Sequence, residues 1–210
     1  MKTKFNKKSF AVVLTTLLLL VALPVTTVFA ATSPTNYAGT AANLTGVGTV
    51  AWTVAATNLN ANDNVYATVD LAGGGSTTSN YLRASNFGFA LPASTVDGIQ
   101  VEIGRFSSGM QAPFIRDSTV KLVNGSSTIV GNNKAVTATD WPTTEGNASY
   151  GANNDTWGAG LTYTDINSSN FGVVLSVVNA NTNTNRNRIA SVDYVRVTVT
   201  YTVSKVNTTT

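Results

Sequence analysis

The clearest pattern in the chain is an alternation of apolar and polar residues close to its C-terminus. From Val195 to Val203, the odd positions are valine or tyrosine and the even positions are arginine or threonine. A period of two in β-branched and aromatic residues predicts a long strand with one buried and one solvated face. Such a strand requires paired neighbours and a second layer that covers its apolar side.

Shorter alternating segments precede this strand, and clusters of Gly, Pro, Asn and Ser separate them. After the first 30 residues, no window has a sustained apolar period of 3.6, and only residues 164–168 predict a helical turn. We therefore predict an all-β protein, specifically a two-layer antiparallel β-sandwich of jelly-roll type over residues 49–204. The other strands are predicted at residues 50–54, 65–71, 81–91, 96–106, 134–141 and 171–178.

Two of the connections between strands carry specific expectations. The pair Asn124-Gly125 is the preferred sequence for a two-residue hairpin turn, so residues 118–130 are predicted to form a hairpin. Residues 147–160 are rich in Asn and Gly and predict a long loop, which carries Tyr150 and Trp157.

The N-terminus has the three parts of a secretory signal peptide. Four lysines precede an apolar run from Phe10 to Leu23, and Val28-Phe29-Ala30 supplies the small-residue cleavage pattern. We predict a signal helix within residues 1–30, with cleavage after Ala30. An uncleaved anchor is disfavoured because the run is shorter than the ~20 apolar residues that a spanning helix needs. The predicted location is therefore secreted, either extracellular or at the cell surface.

Cleavage would change the charge of the protein. Four of its 13 Lys and Arg lie in the leader, which leaves nine against ten Asp and Glu, or a net charge of −1. The mature chain therefore lacks the basic footprint of a nucleic-acid-binding protein, and after cleavage we expect no membrane association. The chain has no cysteine, so its stability cannot depend on disulfides. Residues 31–48 are predicted to be an N-terminal arm or an edge strand, and residues 205–210 a polar tail.

Two parts of the sequence are similar to each other. The segment from Ser85 to Leu91 is similar to that from Ser169 to Leu175, and in both cases a longer alternating segment follows. These longer segments, 95–103 and 191–199, share an early Val-Asp pair. Either a shared ancestry of the two halves or convergence of neighbouring strands explains the similarity.

Several short motifs between residues 60 and 203 carry a resemblance to a known module. On these motifs the chain resembles a jelly-roll-like β-sandwich module that recurs in secreted and surface-exposed bacterial proteins and in phage-tail-associated proteins. The resemblance implies a structural or adhesive unit and assigns no catalytic or binding residue. Such units often occur in several copies, whereas this chain holds one. The motifs are Ser79-Asn80-Tyr81-Leu82, Asn86-Phe87-Gly88-Phe89, Pro92, Asp97-Gly98-Ile99, Val101-Glu102-Ile103, Arg105, Trp157-Gly158, the run from Asp165 to Gly172, and the run from Ser191 to Val195.

The residue types argue against an enzyme. The chain has no His and no Cys, which removes Ser–His and Cys–His nucleophiles and the usual zinc ligand sets. The only glutamates are Glu102, on the polar face of a predicted strand, and Glu145, in a predicted loop. No pattern places two carboxylates opposite each other, as glycoside hydrolysis would require. We therefore expect a non-enzymatic protein.

Two kinds of ligand site remain open. Trp157 and Tyr150 could stack on sugar rings while Asn154 and Asp155 bind hydroxyl groups, whereas Trp52 and Trp141 are expected to fill the core. Weak calcium candidates are Asp63, Asp155 and Asp165, because hard cations prefer oxygen ligands in polar loops. Residues that form turns explain the same Asp and Asn positions without a metal, so no cofactor is otherwise expected.

The sequence thus predicts a secreted, non-catalytic β-sandwich with a structural, cell-surface, extracellular-matrix or adhesive role. The alternative is a carbohydrate-binding module. A further alternative is a filament subunit that self-associates when residues 31–48 fill a strand position in a neighbouring copy. The expected partners are accordingly an extracellular glycan, a surface protein or a second copy of the chain.

Overall fold

Two antiparallel sheets make up the protein, so the predicted all-β sandwich is confirmed. The computed structural model describes residues 25–74, 77–109, 113–183 and 185–207. One short helix, α1, spans Tyr163–Ile166. The strands are β1 Val25–Thr32, β2 Asn36–Tyr37, β3 Thr40–Leu44, β4 Ala67–Leu71, β5 Thr77–Thr78, β6 Tyr81–Ser85, β7 Thr95–Gly109, β8 Ile115–Val123, β9 Ile129–Val130, β10 Gly146–Ala152, β11 Gly172–Asn179 and β12 Arg188–Asn207.

The first sheet is built around the two longest strands, β7 and β12, which are antiparallel neighbours. Strand β10 pairs with the other side of β7. Three short strands share the remaining side of β12, with β4 at its start, β2 in its middle and β1 at its end. The second sheet has the order β3-β6-β11-β8-β9, and β5 pairs with the end of β11.

The core lies between the apolar faces of these two sheets. Ile99, Val101 and Ile103 of β7 are fully buried, as their alternation predicts. From the second sheet, β11 contributes Val173, Leu175 and Val177, which are also buried. Burial of such side chains contributes about 1.5–3 kcal/mol each, so this layer is the main source of stability.

The segment 31–48 takes part in both sheets. Its residues Asn36–Tyr37 form β2 beside β12, and Thr40–Leu44 form β3 at the edge of the second sheet beside β6. Ala38 and Ala41 are buried in the core. The segment therefore contributes one short strand to each sheet.

Four predicted elements differ from the structure. No strand forms over 50–54, where Val50 and Thr53 make only isolated bridges. The strand predicted at 81–91 ends at Ser85, because Asn86 and Gly88 have φ of 59° and 68° and leave the extended conformation. No strand forms over 134–141, although Trp141 is buried. The predicted loop 147–160 begins as strand β10, which includes Tyr150.

The predicted hairpin exists, but its turn is longer than predicted. Val123 pairs with Ile129, so five residues rather than two connect β8 and β9. Asn124 begins the turn, and its Oδ1 accepts hydrogen bonds from the amides of Ser126 and Thr128 at 3.0 and 2.9 Å. Positive φ occurs at Ser127 (64°) and not at Gly125. Hydrogen bonds to the Asn124 side chain therefore hold this longer turn, and the backbone does not adopt the two-residue turn that was expected.

The longer similar segments, 95–103 and 191–199, lie in the neighbouring strands β7 and β12. Of the shorter ones, residues 86–91 lie outside β6. β6 pairs with β11, and β7 pairs with β12. Val101 and Val197, which occupy equivalent positions in the two segments, pair directly with each other. Ile99 pairs with Val199 and Ile103 with Val195, so the strand pair is symmetric about the Val101–Val197 position. The two halves thus have an approximate local two-fold relation in this sheet.

The ends of the chain lie partly outside the described residues. The predicted signal helix falls on residues 1–24, which are outside that range, whereas residues 25–30 belong to β1. At the other end, β12 continues through Asn207, three residues into the predicted polar tail. Within the part of the chain that is described, no helix is long and apolar enough to cross a membrane.

Candidate functional site

A charged pair lies between the two sheets. Arg105 is on β7 and follows the buried face of Ile99, Val101 and Ile103, and Asp117 is on β8 in the opposite sheet. Nη1 of Arg105 donates to Oδ1 of Asp117. The Asp117 side chain is fully buried, and that of Arg105 is 10% exposed. Since isolated charges are costly to bury, each of these two residues depends on the other.

Three further donors complete the surroundings of Asp117. The indole N–H of Trp141 donates to Oδ1 at 2.8 Å, and the hydroxyl of Tyr150 donates to Oδ2 at 2.9 Å. The amide of Val136 donates to Oδ2 at 2.9 Å. Asp117 thereby binds the backbone and one side chain of the irregular segment 134–141, and two side chains of the opposite sheet.

Two aromatic rings enclose the Arg105 guanidinium. Its central carbon lies 4.6 Å from the ring centroid of Trp141 and 5.6 Å from that of Tyr150, which are distances of cation–π contacts. Burial and the negative charge of Asp117 raise the pKa of Tyr150, so its hydroxyl remains a donor at ordinary pH. We call Arg105, Asp117, Trp141 and Tyr150 the cross-sheet clamp, because they connect β7, β8, β10 and the 134–141 segment.

Trp157 lies in the core and not on the surface. Its side chain is fully buried, and its indole N–H donates to the carbonyl oxygen of Ile99 at 2.8 Å. Gly151 makes room for the ring, because a Cβ there would lie 2.4 Å from Nε1 of Trp157. In this structure the Trp157 ring therefore has no free face on which a sugar could stack.

The other predicted sugar-binding residues are divided between the core and the surface. Tyr150 is buried in the cross-sheet clamp. Asn154 is exposed, and Asp155 is half-buried. Oδ1 of Asp155 accepts the amide of Trp157 at 2.8 Å, and Oδ2 pairs with Nζ of Lys134 at 2.6 Å. The bond from Lys134 is the largest cause of the lowered pKa of Asp155. These residues hold the Trp157 turn, and they do not form an open binding surface.

The remaining calcium candidates serve as local backbone caps. Oδ1 of Asp63 accepts the amide of Val65 at 3.0 Å. Asp165 forms a capping box with Thr162 at the start of α1 and also accepts the amide of Gly125 at 3.1 Å. Burial raises the pKa of Asp165, but these hydrogen bonds together outweigh it and leave the pKa low. Across the described ranges, no three His, Cys, Asp or Glu residues are grouped in a way that could hold a metal ion.

A second buried carboxylate lies at a bulge in β12. Val192 pairs with Arg105 and Tyr194 with Gly104, so Asp193 is an extra residue between them. Asp193 is fully buried, and neither of its carboxylate oxygens has a hydrogen-bond partner among the described residues. Burial and the negative charge of Glu145 raise its pKa to about 6, and the nearby amides of Asp63 and Asn64 offset this only in part.

Replacement of Asp193 by Asn is expected to change how stability depends on pH. In the wild type the folded pKa of about 6 exceeds the unfolded value of 3.8. Protonation of Asp193 therefore stabilises the folded protein. This stabilisation is fully present below about pH 4 and is lost as the pH rises through 6. The stability of Asp193→Asn relative to wild type should rise by up to about 3 kcal/mol between pH 4 and pH 7.5.

Urea unfolding at both pH values would measure this difference. Asp97→Asn is a matched control, because Asp97 occupies the equivalent position in β7 and accepts a hydrogen bond from Thr202 at 2.6 Å. A relative stability of Asp193→Asn that is the same at pH 4 and pH 7.5 would contradict the expectation.

A shallow surface cleft lies beside the end of β12. Its volume is about 280 Å³, close to the lower limit for small-ligand sites. Tyr201 is half-buried, and Phe89 and Leu91 contribute apolar side chains to the lining. Ser33, Pro34 and Asn36 also line the cleft. The sequence did not indicate this site, because the cleft combines a half-exposed strand residue with two loops that are distant in the chain.

The fold and these sites define a cysteine-free, two-sheet β-sandwich in which a buried ion pair crosses the core. No protein-family model matches the chain, and no curated protein or solved structure matches it either. The assignment of an all-β sandwich therefore rests on the two antiparallel sheets themselves.

Proposed function

We propose that the protein is an exported, non-catalytic β-sandwich with a structural or adhesive role at the cell surface or in the extracellular matrix. The leader supports export, since residues 1–30 have the charged, apolar and small-residue parts of a signal peptide. The cross-sheet clamp is the observation that carries the structural role. Its Asp117 carboxylate accepts four hydrogen bonds, two of them from side chains of the opposite sheet, in a chain that has no disulfide.

Loops that are fastened by their own side chains also support a rigid unit. In the segment after β11, Oδ1 of Asn179 accepts the amide of Asn181, and Oδ1 of Asn181 accepts the amide of Asn183. Asn167 fixes the 88–91 loop, because it accepts the amide of Leu91 at 2.7 Å and donates to its carbonyl oxygen at 2.8 Å. Loops held in this way suit a protein that must keep its shape outside the cell.

Expression of the complete chain in a bacterial host tests this proposal. We expect the product outside the cytoplasm, with a mass that begins at Ala31, and retained on cell-wall or extracellular-polymer material in a pull-down. An Ala30→Arg leader variant, in which the cleavage pattern is removed, is the matched control for processing. An intact chain that stays in the cytoplasm would contradict export, and turnover of any member of a hydrolase substrate panel would contradict the non-catalytic role.

Carbohydrate binding is the second candidate, and the Tyr201 cleft favours it. The half-exposed Tyr201 ring can stack on a sugar, Phe89 and Leu91 add apolar side chains, and Asn36 supplies a polar group. We therefore propose the cleft as the sugar site in preference to Trp157, which is buried.

A glycan array with three proteins separates the two candidates. If the cleft binds sugar, Tyr201→Ala should weaken binding by at least about ten-fold, because ring stacking is lost. Tyr201→Phe keeps the ring and should bind within about two-fold of wild type. No binding by the wild type favours the structural role, whereas equal binding by all three proteins would exclude the cleft.

Filament assembly through residues 31–48 remains a further proposal. In this structure the segment fills its own edge positions through β2 and β3. Exchange between copies would therefore require these strands to leave one sandwich and enter the next. Deletion of residues 31–45 would also remove the buried Ala38 and Ala41, so we expect it to destabilise the fold.

A further inference from the structure

The end of β12 projects beyond the sandwich. Its pairing with β7 stops at Thr202, opposite Thr95, although β12 continues to Asn207. Residues 203–207 pair only with residues 25–29 of β1 among the described residues. The two segments thus form a two-stranded ribbon, which is a marginally stable arrangement in water.

The ribbon is not covered by another layer. Val28 and Phe29 of β1 are 63% and 55% exposed, and Ser204 and Lys205 of β12 are exposed as well. These exposed apolar side chains bury little surface and contribute little to stability. Backbone hydrogen bonds are therefore the main interaction between the two strands. The ribbon shows that residues 200–207 adopt an extended conformation that accepts an antiparallel partner.

The predicted cleavage site lies within this ribbon. Cleavage after Ala30 would remove six of the eight residues of β1 and leave only the pairs Ala31–Tyr201 and Thr32–Thr200. Residues 203–207 would then lose the only strand that pairs with them in the described structure. Export would therefore convert a paired strand end into an open edge.

We propose that this open edge, residues 202–207, pairs with the same segment of a second copy of the exported chain. The inference rests on the proposed export and cleavage. An antiparallel pairing of identical segments is closed by a two-fold axis, and it therefore gives a dimer rather than an open polymer. With the axis at Ser204, Val203 lies opposite Lys205 of the second copy. The two lysines are then not opposite each other, and like charges do not oppose the pairing.

The composition of the segment suits such a contact. Thr202 and Val203 are β-branched and favour an extended conformation. With the axis at Ser204 the pairing covers five residues, 202–206. This is a small interface, so the dimer should be weak and should depend on concentration. A protein held at high density on a surface would populate it more than a dilute one.

Disulfide trapping tests the register directly, because the chain contains no cysteine. Residues directly opposite in an antiparallel pair have Cα atoms about 4.5–5.5 Å apart, within disulfide range. In exported Ser204→Cys protein, we expect mild oxidation to give a covalent dimer about ten-fold faster than in Val203→Cys protein. A mixture of Val203→Cys and Lys205→Cys proteins should cross-link faster than either alone.

The same samples distinguish the two possible failures. A mass that begins at Ala31 without faster cross-linking of Ser204→Cys would overturn the dimer while export stands. A mass that retains residues 25–30 would instead show that the proposed processing is wrong. Hydrogen exchange of the wild-type exported protein provides an independent measurement. Protection of the amides of residues 203–207 should increase with protein concentration, and concentration-independent exchange would contradict the dimer.

Discussion

Substitution of Asp117 by Ala should lower the free energy of unfolding by about 3–5 kcal/mol, since it leaves the buried Arg105 guanidinium without its counter-charge. The same change removes the acceptor of the Trp141 indole, the Tyr150 hydroxyl and the Val136 amide. Arg105 Nε already lacks a hydrogen-bond partner among the described residues, so the guanidinium has little alternative compensation. Urea unfolding at neutral pH would measure the loss.

A double variant separates the charge from the hydrogen bonds. In Arg105→Met with Asp117→Leu, no buried charge remains, and apolar residues of similar volume often replace an ion pair without loss. The donors of Trp141 and Tyr150 stay unpaired in this protein, so we expect only partial recovery relative to Asp117→Ala. A loss below about 1 kcal/mol for Asp117→Ala would show that the clamp contributes little.

Trp157→Ala should lower the free energy of unfolding by about 3–5 kcal/mol, because it empties a fully buried site. The substitution also leaves the Ile99 carbonyl oxygen without the indole donor. The adjacent turn would be weakened as well, since Trp157 has a φ of 58° and its amide is held by Asp155. Thermal unfolding followed by near-ultraviolet circular dichroism would report both the stability and the packing.

Trp157→Phe is the matched control for this substitution. It retains most of the apolar volume and loses the hydrogen bond to Ile99, so its effect should be about 1–3 kcal/mol. If Trp157→Ala were as stable as wild type but lost binding on a glycan array, the tryptophan would be a ligand platform after all. Unchanged glycan binding in the folded variant would agree with a purely structural position.

The alternation of residue types predicted most of the large strands. The period of two located β7, β11 and β12, and the alternating run from Val195 to Val203 lies within β12. The burial of Trp52 and Trp141 was also expected and is confirmed. Strand ends were predicted less well where a residue of positive φ stops the extended chain. The Phe87 and Phe89 side chains continue the apolar pattern past Ser85, although the backbone there is no longer a strand.

The cross-sheet clamp was not predicted, and a bulge explains why. Val177 pairs with Asp117 while Ser176 pairs with Thr119, so Ser118 is an extra residue in β8. By simple alternation, Asp117 would lie on the face opposite to Val120 and Leu122. The extra residue reverses this phase and turns the carboxylate into the core. From the sequence alone, only Arg105 could be assigned to a buried face, because the alternation puts it on the same face as Ile103.

What the sequence determined by itself was the local order of the chain: an alternating pattern, many turns and no long amphipathic helix after the leader. These follow from side-chain periodicity within a few residues, which any antiparallel sandwich must satisfy. The tertiary structure alone decided that Trp157 is covered by Gly151 and β7, that Asp117 meets Arg105, and that β1 pairs with the end of β12. Burial, strand register and charge pairing arise between segments far apart in the chain, so no local pattern contains them.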